Sequence, residues 1–170
     1  SSVATRSESD RDILRSNAFL QKSFQPLRAF SAEDDLHTMG YHPKGRYFYT
    51  VSIKGKFALW DLETETPVPI QGLPKTVFVA SWSPSGDRLC VLPIAGKPVL
   101  YSFEKLDTPI LLQSETNTPP WFRAEFSPNG EYLALGGLAL EVWNVGGDPK
   151  LVASFKTKEP IHRLLWNGSG

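Results

Sequence analysis

Three short segments of this chain share one pattern: an aromatic residue, Ser or His, then Pro, a variable residue and Gly. They are Tyr41-His42-Pro43-Lys44-Gly45, Trp82-Ser83-Pro84-Ser85-Gly86 and Phe126-Ser127-Pro128-Asn129-Gly130. Their glycines lie 41 and 44 residues apart. Proline presets φ at an early turn position and glycine accepts φ > 0 at a later one, so each segment reads as a tight reversal. Recurrence at a nearly fixed period constrains the fold more than composition does.

The register extends on both sides of the turns. A second aromatic closes the next apolar run in each copy: Trp60, Tyr101 and Trp143. A fourth copy begins at 161–166, which aligns with 121–126, and Gly170 falls 40 residues after Gly130. Each unit divides into four short apolar runs separated by turn signals. In the second unit these are 77–82, 88–94, 98–103 and 109–113. Lys54-Gly55 and Ala95-Gly96 read as two-residue hairpin turns, and Gly136-Gly137 as a shortened one. The connections are too short for helical crossovers, so the sheets are antiparallel. Four strands per period of about 40 residues is the pattern of β-propeller blades. The expected fold is therefore all-β: about three four-stranded antiparallel blades with partial strands at both ends.

The units span approximately 36–72, 76–113 and 121–155, with a further one starting at 161–170. Residues 25–30 align with the fourth strand of a preceding blade. Residues 1–24 form a flexible or partly helical segment: 1–10 are Ser-rich and charged, and 11–22 suit a short helix after an Asp10 cap. An arc of three blades leaves apolar end faces uncovered. The expectation is that further blades of a longer chain, or a ring-completing subunit, cover them.

Composition narrows the function classes. Lys plus Arg equals Asp plus Glu, 18 against 18, so nucleic acid is not indicated as a partner. No apolar run approaches the roughly 20 residues that span a membrane. A lone cysteine, Cys90, cannot form an intrachain disulfide, which favours an intracellular, cytoplasmic or nuclear setting. Cys90 sits mid-strand between Leu89 and Val91 and reads as a packed thiol. His37, His42 and His162 lack a converging third metal ligand and read as partly buried repeat positions. No nucleophile elbow, zinc-protease or phosphate-loop motif occurs. Catalytic, cofactor-binding and metal residues are therefore all expected to be none.

On these residues the chain resembles the WD40 repeat family. Trp60-Asp61 matches the dipeptide that names it, and the Trp82–Gly86 and Phe126–Gly130 segments match its strand–turn signature. The family's Gly-His pair is absent, and its turn Asp is replaced by Lys54 and Ala95. Thr50 or Ser52 can supply the family's strand hydroxyl in the first unit. Val91 and Pro93 replace it in the second, and Leu135 and Gly137 in the third. Blades of this kind must be held mainly by apolar packing.

The resemblance implies that the loops leading into first strands and the second hairpins share one rim. That rim carries Glu33, Asp34, Asp35, Lys54, Lys75, Lys97, Pro119, Pro120 and Trp121. Two prolines stiffen the last loop, and Trp121 is either a partner anchor or an inter-blade core residue. The implied function is a non-catalytic scaffold or adaptor that binds other proteins or peptides. A regulatory propeller of a multidomain signalling protein, an RNA-associated scaffold and an enzyme with its site at the propeller mouth are the alternatives.

Overall fold

A computed structural model describes residues 34–114 and 120–168. The helix suited to 11–22, the strand at 25–30, and the rim residues Glu33 and Pro119 lie outside them. The described residues form no helix and three four-stranded antiparallel sheets. The first blade is β1 (Leu36–Tyr41), β2 (Tyr47–Ser52), β3 (Phe57–Asp61) and β4 (Thr66–Val68). The second is β5 (Val77–Trp82), β6 (Arg88–Pro93), β7 (Val99–Ser102) and β8 (Lys105–Leu111). The third is β9 (Trp121–Phe126), β10 (Tyr132–Gly137), β11 (Ala139–Asn144) and β12 (Lys150–Lys156). Within each sheet the spatial order follows the chain order. This is a propeller arc of about three blades.

Side chains alternate across a strand, so a sheet sandwiched between two others needs apolar residues in both phases. β6 supplies them: Leu89 and Val91 pack toward the first blade, Cys90 and Leu92 toward the third. All four are fully buried. Tyr49, Val51 and Leu59 meet the second blade on one side. Trp121, Phe126, Leu133, Leu135 and Trp143 meet it on the other.

The three repeated turns fold alike. Gly45, Gly86 and Gly130 have φ of +78°, +78° and +75°. Each glycine N–H donates to the carbonyl of His42, Ser83 or Ser127. A further bond ties each turn to the end of the third strand: Leu62 N–H to Arg46 O, Phe103 N–H to Asp87 O, Val145 N–H to Glu131 O. Ser83 and Ser127 close their own turns, accepting from the N–H of Arg88 and Tyr132. His42 instead reaches the next blade. Its Nδ1 accepts from Lys44 N–H at 3.1 Å, so Nε2 carries the hydrogen and donates to Gly86 O at 2.9 Å. The ring is buried against Trp82 and Phe103.

Three details depart from the sequence reading. The fourth strand of the second blade begins at Lys105, not at 109, because a tight turn pairs Ser102 with Lys105. Pro109 then lies inside an outermost strand, where no neighbouring strand needs its missing N–H. The Lys54-Gly55 hairpin is a three-residue loop closed by Ser52 N–H to Lys56 O, and only Gly55 has positive φ. Gly136 and Gly137 belong to β10 and not to a turn; a Cβ on Gly137 would overlap the Pro120 carbonyl.

The glycine turns give a paired prediction. Gly45 and Gly86 share a φ, but a Cβ on Gly45 meets nothing, whereas one on Gly86 would overlap the His42 ring. Gly45→Ala should cost about 1–2 kcal/mol, the penalty for a left-handed residue. Gly86→Ala should cost clearly more in urea unfolding, and the excess should vanish in a His42→Ala background. Equal costs in the wild-type background would show that the His42 contact is not formed.

Candidate partner-binding rim

The loops leading into first strands and the second hairpins do share one rim, joined by a repeated set of backbone bonds. Ile53 N–H donates to Asp35 O at 2.9 Å and Ile94 N–H to Thr76 O at 3.1 Å. Between blades, Val77 N–H reaches Gly55 O and Ile161 N–H reaches Gly137 O, both at 2.8 Å. The Pro-x-Gly turns form the opposite rim.

Charged residues of the sequence-predicted rim sit where these bonds hold the backbone. Lys54 pairs with Asp34, whose side chain is largely covered, while the lysine stays exposed. Lys97 donates to Gln113 Oε1. Lys75 and Asp35 are exposed, and Pro120 is half-buried. Trp121 differs: at 1% exposure it is core, packed between the second and third blades as Val77 is between the first and second. It offers no surface to a partner.

A second row lies on this rim, and the sequence reading missed it. Each first strand carries a β-bulge, between Leu36 and Thr38, Val77 and Val79, and Trp121 and Arg123. The extra residues are His37, Phe78 and Phe122. A bulge re-aims its extra side chain out of the pleat. These rings contact one another from blade to blade, with centroids 5.0 Å apart for His37–Phe78 and 6.0 Å for Phe78–Phe122. His162, at the same repeat position, continues the ladder at 5.4 Å from Phe122. His37 and His162 are therefore exposed members of a ring ladder, not partly buried positions. Their common register was visible in the sequence; the bulge that exposes them was not.

The closing aromatics of the third strands each find a polar partner. Trp60 Nε1 donates to Thr50 Oγ1 at 3.3 Å, using one of the two hydroxyls read from the sequence. Tyr101 OH donates to Gln71 O at 3.1 Å. Trp143 Nε1 donates to Glu141 Oε2 at 3.1 Å, and Ser114 Oγ donates to Glu141 Oε1 at 2.6 Å. Glu141 is fully buried and had no place in the sequence reading. Its signal was a charged residue in the inward phase, two positions before Trp143.

Among the described residues no three His, Cys, Asp or Glu side chains are grouped to hold a metal, and no helix is long and apolar enough to cross a membrane. Burial pushes the Cys90 thiol up, away from the reactive thiolate. Arg46 binds Asp61 through two nitrogens on the turn rim and holds that carboxyl below its ordinary range. The Asp of the Trp60-Asp61 dipeptide is thus engaged structurally.

No family model matches the sequence. The chain is similar to the WD repeat and HMG-box DNA-binding protein 1 of Xenopus laevis, 23% identical over 130 residues. The match covers 70% of this chain and 11% of that protein, so the chain spans about a tenth of the relative's length.

Two measurements check these placements. Trp121→Ala should cost about 3–5 kcal/mol in urea unfolding, as other buried aromatics do, whereas Lys75→Ala should stay within about 0.5 kcal/mol. Labelling of Cys90 by a thiol reagent, followed by peptide mass mapping, should proceed only as fast as the blade opens. Rapid labelling of the folded protein would contradict its burial.

Proposed function

We propose that this chain is part of a protein-interaction scaffold or adaptor, non-catalytic, that engages proteins or peptides through the hairpin rim. The observation that carries this reading is the repeated backbone pinning of that rim. Bonds from Ile53 to Asp35 and from Ile94 to Thr76 hold hairpin tip and incoming loop together in successive blades. A surface ordered before binding loses less conformational freedom on association. Exposed Lys54, Lys75 and Lys97 project from it. The similarity to a WD repeat protein supports the same reading at the level of architecture.

The reading has two further parts. Leu36, Met39 and Tyr41 leave an apolar strip exposed on the first blade. We assign it to cover by further blades, from a longer polypeptide or a ring-completing subunit. The setting is intracellular, cytoplasmic or nuclear, where a single buried thiol needs no partner.

The test uses the full-length polypeptide, immobilised for affinity capture. Lys75→Glu combined with Lys97→Glu should lower retention of its protein partners by about tenfold, the order of effect of reversing interface charges. Lys44→Glu on the turn rim should leave retention unchanged. Loss with Lys44→Glu alone would overturn the reading, as would turnover of a small substrate without any retained protein.

A further inference from the structure

Exposed large aliphatic side chains recur at one repeat position. Ile53, Ile94 and Leu138 lie 41 and 44 residues apart, the same spacings as the turn glycines. Each stands at the tip of its blade's second hairpin, immediately after β2, β6 or β10. Their exposures are 61%, 47% and 38%. The uncovered end faces of the arc do not account for this. Ile94 belongs to the middle blade, which is packed on both sides, and it is as open as its neighbours.

The backbone explains why they point outward. In the first blade the hairpin closes over three residues, and Ile53 is the first of them. The Ile53 and Ile94 N–H groups are spent on Asp35 and Thr76, which fixes both residues at the corner of the loop. An aliphatic side chain held in water at one site is ordinary; the same choice in three successive blades is a row.

The row is flanked by positive charge. Lys54 and Lys56 follow Ile53, Lys97 lies three residues after Ile94, and Lys75 precedes Thr76. Asp34, Asp35 and Glu159 are the acidic groups in the described loops of this rim; Asp34 is paired with Lys54, and Glu159, at the repeat position of Lys75, directly follows Lys158. Lys97 is bonded to a neutral amide, and Lys75 makes no ion pair among the described residues. Inward of the row lie the rings of Phe78 and Phe122. Phe78 is next to Val77, which pairs with Pro93 beside Ile94; Phe122 is next to Trp121, which pairs with Gly137 beside Leu138.

We infer that the hairpin rim takes an acidic, aliphatic-bearing peptide segment, whose apolar side chains cover Ile53, Ile94 and Leu138 while its carboxylates face Lys54, Lys75 and Lys97. The inference rests on the rim reading above and adds the chemistry of the partner. A basic segment would set like charges together, and a purely acidic one would leave the aliphatic row in water. Lysine stems can lie along apolar surface with their ammonium groups outward, so the two kinds of contact are compatible in one site.

The test titrates the full-length polypeptide against a fluorescently labelled peptide alternating Leu and Asp, read by polarisation. Peptides alternating Leu with Lys, and Ser with Asp, are the controls. The Leu–Asp peptide should bind and both controls should bind at least about tenfold more weakly. Ile53→Ser with Ile94→Ser should weaken binding by about tenfold or more, from lost apolar burial. Lys75→Glu with Lys97→Glu should weaken it by about tenfold at low salt, and the difference should shrink at high salt. Thermal melts of both variants should match the parent, because the substituted residues are exposed. Preference for the Leu–Lys peptide, absent Leu–Asp binding, or binding unchanged in both variants would overturn the inference. Failure of the rim reading shows separately, as partner capture unchanged by Lys75→Glu with Lys97→Glu.

Discussion

A four-stranded sheet with two apolar faces has no stable existence alone, and everything else in this chain follows from that. The middle blade shows the constraint directly. Leu89 and Val91 face one neighbour while Cys90 and Leu92 face the other, all at 0% exposure. Burying one such side chain is worth about 1.5–3 kcal/mol, so stacking dominates any single polar contact. Once the faces are consumed by stacking, the two rims, the inner strand edges and the outermost strands remain to meet a partner. Of these, the hairpin rim is the one at which loop, hairpin and neighbouring blade are bonded together at every described junction but the one beside residues 115–119.

Polar groups trim this packing without replacing it. The same aromatic position is satisfied in three ways: a threonine hydroxyl for Trp60, a loop carbonyl for Tyr101 and a buried carboxylate for Trp143. What is common is the need, since a buried ring N–H or O–H costs free energy when unpaired. The residue that meets the need drifts from blade to blade. Tyr49 shows the same economy at a junction: its hydroxyl donates to Ala80 O, passing over Gly40, where a Cβ would lie 2.7 Å from that oxygen. Burial pushes the Tyr49 phenol up to about 12, so the donor stays protonated.

Short-range features were legible in the sequence because their cause is local. Pro at one turn position and Gly at another dictate the three reversals, and the apolar runs that the turn signals bound mark β5 and β6. The reading went astray where the cause lies between strands or between blades. Gly136-Gly137 looks like a turn but is glycine because Pro120 and Ile161 approach it from neighbouring segments. Trp121 has the composition of an anchor, yet its place is set by the repeat register it shares with Val77. The bulges under His37, Phe78 and Phe122 leave no mark in composition, since an extra residue in a strand is a property of pairing. Ile53, Ile94 and Leu138 were readable as an aligned set; only hairpin geometry tells that they are exposed.

The account's central claim is that partners meet the hairpin rim and not the turn rim. The most direct measurement is site-specific photocrosslinking in cells, with a photoreactive side chain placed in the full-length polypeptide either at Ile94 or at Ser85. Both positions are on the middle blade and both are exposed, one on each rim. The account predicts discrete protein adducts from Ile94 and none from Ser85. Adducts from Ser85 with a silent Ile94 would contradict it.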